Sequence, residues 1–315
     1  MEENLGILQK LKDRLLKIQT LRRIVQFISF LLIYSIIFGI SPIPLLLPVL
    51  TSMGTRSKIV GEAFATFQYM LYEKTFPWLP IAAFLLFAIL FGRALCGWVC
   101  PFGFIQDLMA YVKRRHKEIS LDTHRSFIKI KYFLLGIILF VSFTVAISLI
   151  ASRSFGERYT SALGPFSETP FNVLSPSDTM FAVLPNMFLS LRFAIYKQSF
   201  WQIVSGIAYF SPLLWARLII FFAVMILAAY IPRGWCKYFC PNGALMALFS
   251  RFSFLGLKRE LIKCTRAECR ICVEACPMKV RITELPWEKI SDPECIYCLK
   301  CVDACPTKAL KPKFP

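Results

Sequence analysis

Arg93-Ala-Leu-Cys96-Gly-Trp98-Val-Cys100-Pro101-Phe-Gly103 is written a second time in this chain, as Arg233-Gly-Trp-Cys236-Lys-Tyr238-Phe-Cys240-Pro241-Asn-Gly243. Arginine, both cysteines, an aromatic residue between them, proline and glycine recur at the same offsets, 140 residues apart. Cysteines at i and i+4 share one face of a helix, and proline after the second marks a break or the first turn of a new helix. Each copy therefore predicts a thiol pair where a helix ends. If a pseudo-twofold axis brings the copies together, Cys96, Cys100, Cys236 and Cys240 form a four-sulfur site. Such a set suits an iron–sulfur cluster, zinc or cuprous ions. Inert buried cysteine and a redox-active thiol pair stay open as other readings. Arg93 and Arg233 either offset negative charge there or anchor helix ends against lipid head groups.

What precedes each copy is apolar. Of the 315 residues 57% are hydrophobic and 30 are phenylalanine, and the mean hydropathy is positive. Four segments, 24–41, 77–95, 127–150 and 213–232, approach the roughly 20 residues a bilayer requires. The expected fold is an α-helical membrane protein of four spans with an internal duplication, its halves being parallel copies. Patches at 181–191 and 200–210 are too short or broken to count as spans. Lys and Arg number six in 1–23 and eight in 93–131, against three in 42–76 and four in 151–212. By the positive-inside rule both termini and the 96–126 loop face the cytoplasm, and the other two loops face outward. Residues 1–23 set Leu8, Leu11, Leu15 and Ile18 opposite Lys10, Lys12, Arg14 and Lys17, a basic amphipathic helix. It lies on the membrane or packs on the protein's own soluble part. No small-residue cleavage site follows, so it is read as uncleaved.

The last 52 residues hold the other eight cysteines. They read Cys264-x4-Cys269-x2-Cys272-x3-Cys276-Pro277, then Cys295-x2-Cys298-x2-Cys301-x3-Cys305-Pro306. The second run matches the bacterial ferredoxin pattern, in which three thiolates grip one cubane and the fourth reaches the neighbouring cluster. The first departs from it by two extra residues after Cys264. Zinc would need only four ligands and leaves both Cys-Pro closures unexplained. All twelve cysteines fall on the predicted inner side, as thiolate-ligated clusters in a reducing compartment require. The divisions are thus 1–23, a membrane domain over 24–256, and a small α+β two-cluster domain over 257–315.

The net charge of +18 flanks apolar runs, where it sets topology and attracts anionic lipid. No nucleic-acid motif accompanies it. The two histidines, His116 and His124, fall in the inner loop and read as solvated. A bis-histidine haem would need histidines within the spans. No dinucleotide-binding glycine loop or P-loop is present. No acidic residue lies well inside a predicted span, which argues against a built-in proton relay.

In combination these features resemble the NapH/MauN group of membrane polyferredoxins, in a wider family with NosR and CcoG. The resemblance covers nearly the whole chain from about residue 24. It implies electron transfer at the membrane between the quinone pool and a partner redox enzyme or its maturation system. It also implies two 4Fe–4S clusters, one on Cys264, Cys269, Cys272 and Cys305 and one on Cys276, Cys295, Cys298 and Cys301. No flavin or nicotinamide is expected. The widened Cys264–Cys269 gap leaves a three-iron cluster open. The flavin region of the NosR branch and the extra domain of the CcoG branch have no counterpart. The leading expectation is an electron-transfer subunit of quinol dehydrogenase type. The alternative is a metal-handling or maturation protein whose four membrane thiols bind copper. A third reading is a thiol–disulfide sensor.

Overall fold

The computed structural model describes residues 18–33, 45–52, 60–113, 120–188, 212–264 and 269–314. Its helices are α1 Ile18–Ile33, α2 Ala63–Tyr72, α3 Trp78–Phe91, α4 Ala94–Trp98, α5 Pro101–Met109, α6 Leu121–Ala151, α7 Arg153–Leu163, α8 Pro170–Leu174 and α9 Pro176–Asp178, then α10 Pro212–Tyr230, α11 Gly234–Tyr238, α12 Pro241–Ser250, α13 Ile271–Glu274 and α14 Lys300–Ala304. Strands β1 Leu46–Leu47 and β2 Gly61–Glu62 pair in parallel; β3 Gly256–Arg259 and β4 Leu310–Lys313 pair antiparallel, with Gly256 opposite Lys313.

The duplication reappears as structure. In each copy an apolar helix (α3, α10) gives way to a five-residue helix carrying the first cysteine (α4, α11) and then to a helix opened by proline (α5, α12). The amides of Cys100 and Cys240 donate to Leu95 O and Trp235 O, at 2.9 and 3.0 Å. The two thiols of a copy do not share one helix. The second stands at the N-cap of the next, because proline at N1 lacks the N–H that a continuous helix would need. The turns before them differ for a covalent reason. α3 ends on Gly92 at φ +56°, but the matching residue is Pro232, whose ring forbids positive φ. The left-handed conformation passes instead to Arg233, at φ +56°.

Two helices among the described residues, Thr123–Ala151 and Pro212–Tyr230, are long and apolar enough to cross a membrane. α3 is apolar but has 14 residues, about 21 Å of helix. Only part of the predicted 24–41 span is described, and α1 runs unbroken through the 23/24 boundary. It buries Arg22 and Gln26 while Leu21, Ile24, Phe27, Ile28 and Leu32 stand exposed. Residues 1–17, His116 and the 200–210 patch lie outside the described residues; Phe181 of the 181–191 patch is buried within the helical body.

Two apolar clusters meet at the repeat. One joins Phe64, Phe84, Phe102, Phe171 and Phe221 with Cys100 and Cys240. The other joins Leu257, Met278, Ile290, Ile296 and Tyr297 of the C-terminal domain with Cys276, Cys298, Cys301 and, from the repeat, Cys96. The thiols of the repeat therefore lie at the seam between helical body and tail.

Candidate metal centres

Cys96, Cys100, Cys236 and Cys240 are 3–7% exposed and close enough to act on one another electrostatically. Burial pushes the Cys100 thiol up to about 12, and the Cys236 and Cys96 thiols add to the rise. Cys240 is raised well above its ordinary value by burial and then by Cys236, Cys96 and Cys100. Thiols that resist ionising together are poor company unless positive charge and donors surround the sulfurs. Those are present. The Gly103 and Leu50 amides face Cys100, Gly243 N donates to Cys240 Sγ at 3.2 Å, and the buried Gln106 Nε2 donates to Cys236 Sγ at 3.1 Å. This donor set fits a thiolate-ligated group. Among the described residues no three His, Cys, Asp or Glu side chains converge as single-ion ligands would; a cubane, with iron at four corners, takes its thiolates further apart.

The repeat arginines cross. Arg93 Nη2 of the first copy donates to the Cys236 carbonyl at 3.3 Å, and Arg233 Nη1 of the second donates to the Cys96 carbonyl at 2.6 Å. Both are 0% exposed, so the lipid head-group role is corrected: their charge is spent inside. This crossing also explains the recurring glycines. A Cβ on Gly243 would stand 2.8 Å from Arg93 Nη2, and one on Gly103 3.0 Å from Cys96 O and 3.5 Å from Arg233 Nη1.

The arginines part company in their carboxylates. Arg233 grips Asp107 of α5 through Nε and Nη2, at 2.9 and 2.7 Å. Arg22 and Gln26 of α1 reach the same carboxylate. Burial works to raise the Asp107 pKa, but Arg233, Arg22 and Arg23 outweigh it and hold the carboxylate ionised. The second copy has Ala247 at that position, and Arg93 finds its carboxylate in the tail instead. Glu294 Oε2 lies 2.7 Å from Arg93 Nη1 and also pairs with Lys131, while Tyr132 donates to Oε1 at 3.3 Å.

Glu294 directly precedes Cys295, so this ion pair seats a cysteine loop on the repeat. Trp98 Nε1 donates to Tyr297 O at 2.9 Å, Gln19 Nε2 donates to Cys298 O at 2.8 Å, and Gly97 lies so close under Ile296 O that no Cβ fits. In the tail, burial pushes Cys276 up to about 11, assisted by Cys298. Cys295 rises with burial, Cys276, Cys298 and Cys301, and Cys301 with burial, Cys298, Cys276 and Cys272. Cys276, Cys295, Cys298 and Cys301 thus lie near enough to act on one another electrostatically. Of the second predicted ligand set, Cys272 is raised by burial and by Cys269 and Cys264. Cys305 behaves differently: burial acts to raise it, but the Thr307 hydroxyl and the Ala309, Leu310 and Thr307 amides prevail and lower it. The two Cys-Pro closures turn alike, Lys279 and Lys308 each standing three residues after the cysteine with φ of +55° and +52°.

His124 is corrected. It is 7% exposed, and its Nδ1 lies 2.9 Å from the Tyr238 hydroxyl. Burial and the nearby Lys237 depress its pKa. Sequence reading also missed Asp107, Gln106 and Glu294. A lone Gln-Asp pair in the otherwise apolar run 101–109, and an acid beside a ligand cysteine, were the available signals.

Comparison with known proteins bears on these sites. A 4Fe-4S binding domain family matches twice, over residues 76–120 and 213–261, and a 4Fe-4S dicluster domain family matches 263–310. An uncharacterized protein of Methanocaldococcus jannaschii is 25% identical over 218 residues, covering 67% of this chain and 68% of its own. YccM of Escherichia coli, named as a candidate electron transport protein, is 24% identical over 231 residues, 70% of this chain and 51% of its own. The regulatory protein NosR of Stutzerimonas stutzeri is 24% identical over 216 residues, 67% of this chain and 23% of its own. The matched region thus spans about half of YccM and about a quarter of NosR. No solved structure matches. The family resemblance drawn from the cysteine patterns is supported: 4Fe-4S family models match the chain, and YccM, NirI and NosR are among the proteins similar to it.

Proposed function

We propose that this 4Fe-4S protein, a relative of YccM and NosR, is a membrane-bound electron-transfer subunit that accepts electrons from quinol and passes them to a partner redox enzyme. Membrane association and iron–sulfur electron transfer are common ground with its family. The quinol donor, the partner, the four-span topology with both termini cytoplasmic, and the ligand sets are proposals. Cys276, Cys295, Cys298 and Cys301 would hold one 4Fe–4S cluster, Cys264, Cys269, Cys272 and Cys305 a second, and Cys96, Cys100, Cys236 and Cys240 a third.

One observation carries the reading. α4, which bears Cys96, lies directly beneath the Cys295–Cys298 loop, with Gly97 under Ile296 and Trp98 bonded to Tyr297. A thiol site at the end of apolar helices thus abuts a thiol site of the tail. Clusters bound at such thiols supply one-electron steps. The protein's own contribution is positional: Arg93, Lys131 and Glu294 fix the separation, and Arg93 and Arg233 supply positive charge beside the sulfurs. Both clusters of apolar side chains keep the repeat thiols away from water.

The test is anaerobic addition of a short-chain quinol to the purified, cluster-loaded protein, followed by visible absorbance and electron paramagnetic resonance. Reduction of the clusters supports the reading. Intact clusters that exchange no electrons with quinol, with or without partner subunits, would refute it.

A further inference from the structure

Gln106 is a buried amide aimed at a sulfur. It lies on α5 at 0% exposure, and its Nε2 donates to Cys236 Sγ at 3.1 Å. Its Oε1 is buried too, with no hydrogen-bond partner among the described residues. A side chain held in this way leaves half its polarity unsatisfied, which is costly in an apolar interior. A neutral thiol is a weak acceptor and returns little. A thiolate accepts a charge-assisted bond, roughly twice as strong as a neutral one. The placement therefore suits a Cys236 sulfur that carries negative charge, as a cluster ligand does.

The donor is also one-sided. Gln106 belongs to the first copy and serves a cysteine of the second, the same crossing that Arg93 and Arg233 make. The matching position in the second copy, 140 residues on, is Met246, 0% exposed, whose thioether has no hydrogen to donate. Cys240 takes a donor from the main chain, Gly243 N at 3.2 Å. At Cys236 the donor depends on a side chain, at a position where the other copy carries methionine.

Reduction would add an electron to a site whose four cysteines are 3–7% exposed. Extra negative charge is poorly tolerated in such a medium, so hydrogen bonds to the sulfurs govern how readily the electron enters. The two arginines direct their hydrogen bonds to the Cys236 and Cys96 carbonyls and to carboxylates. Gln106 bonds a sulfur itself.

We infer that Gln106 sets the reduction potential of the centre held by Cys96, Cys100, Cys236 and Cys240, raising it by hydrogen-bonding the Cys236 thiolate more strongly in the reduced state. The inference rests on the iron–sulfur reading of the repeat thiols and does not depend on which molecule donates the electron. Gln106 is then a positioning residue that acts on one-electron uptake, with no bond made or broken in the protein. A centre raised in this way accepts electrons from a milder reductant than four buried thiolates alone would allow.

Redox titration of the cluster-loaded full-length protein, followed by electron paramagnetic resonance, tests this. The repeat signal is the one absent from the Cys96→Ser/Cys236→Ser protein, and iron content is matched first. Gln106→Met, which copies the second half of the repeat, should move the midpoint of that signal negative, while the tail signals titrate as before. At the poise where the wild-type repeat centre is half reduced, the ratio of reduced to oxidised centre should fall roughly threefold or more, as loss of a charge-assisted bond implies. An unmoved repeat midpoint overturns the inference, and so does an equal shift of repeat and tail signals, which marks a general change of structure. Should Gln106→Met fail to hold iron, wild-type protein labelled in the glutamine side chain with a heavy nitrogen isotope carries the test. Hyperfine coupling of that isotope to the reduced repeat centre supports the inference, and its absence overturns it. Wild-type protein with the same iron content and signals as Cys96→Ser/Cys236→Ser overturns the iron–sulfur reading of the repeat itself.

Discussion

The guanidinium of Arg233 donates to the backbone carbonyl of Cys96, 137 residues earlier and 2.6 Å away. Arg93 returns the relation at Cys236. Each half of the duplication thus supplies the charge that braces the first cysteine of the other.

Asp107 completes this brace, since Arg233, Arg22 and Arg23 all converge on it. Asp107→Asn leaves buried guanidinium charge uncompensated, and removing one partner of such a network costs about 3–5 kcal/mol. Denaturant titration in detergent should show a loss of that size. The pH dependence has a definite sign. The folded carboxyl lies below its ordinary value, so its contribution is fully present above the unfolded value of about 3.9. It is lost only as pH falls further toward the folded value. The wild-type protein should hold this contribution down to about pH 4, and Asp107→Asn should abolish that dependence.

Glycine positions separate sharply. At Gly97 a Cβ would strike the Ile296 carbonyl, and at Gly243 it would stand 2.8 Å from Arg93 Nη2, whereas at Gly136 it meets nothing within 4 Å. Gly97→Ala should lift the tail and expose the 251–263 connection to limited proteolysis. Gly243→Ala should cost about 1–3 kcal/mol through overpacking. Gly136→Ala, in a helix interior, should gain up to about 1 kcal/mol. Thermal unfolding of the three variants checks the order.

Glu294 is the tail's anchor. Glu294→Gln removes the carboxylate shared by Arg93 and Lys131 while keeping the cysteines. Magnetic coupling between the reduced centres should weaken at unchanged iron content, and proteolysis should release the tail more readily. Unchanged coupling would show that Trp98, Gln19 and apolar contact suffice.

Metal content distinguishes the uses of the repeat thiols. Reconstituted protein should hold about twelve irons per chain if three cubanes form, and about eight if only the tail is loaded. Cys96→Ser with Cys236→Ser should remove about four and leave the tail spectrum intact. Copper bound in proportion to those thiols would instead favour the metal-handling alternative.

Much of the site was legible because its information is local. Spacing within Cys295–Cys305 and the recurrence from Arg93 to Gly103 are covalent facts, and the two long apolar helices follow from hydropathy. His124 misled because a histidine in a basic loop carries no mark of its partner; only packing brings Tyr238 to it. Nor does anything in the sequence around Leu50 announce that its amide faces Cys100.

By itself the sequence determined the number and order of the thiols, the duplication and the apolar character of the helices that carry it. Tertiary structure alone decided which charges meet. Asp107 and Arg233 are 126 residues apart and Arg93 and Glu294 are 201 apart, and nothing in the spacing of either pair announces contact. A buried ion must find a counter-ion wherever the fold delivers one. In the first copy that counter-ion is supplied by the tail, which is why the tail docks on one side of a nearly symmetric repeat.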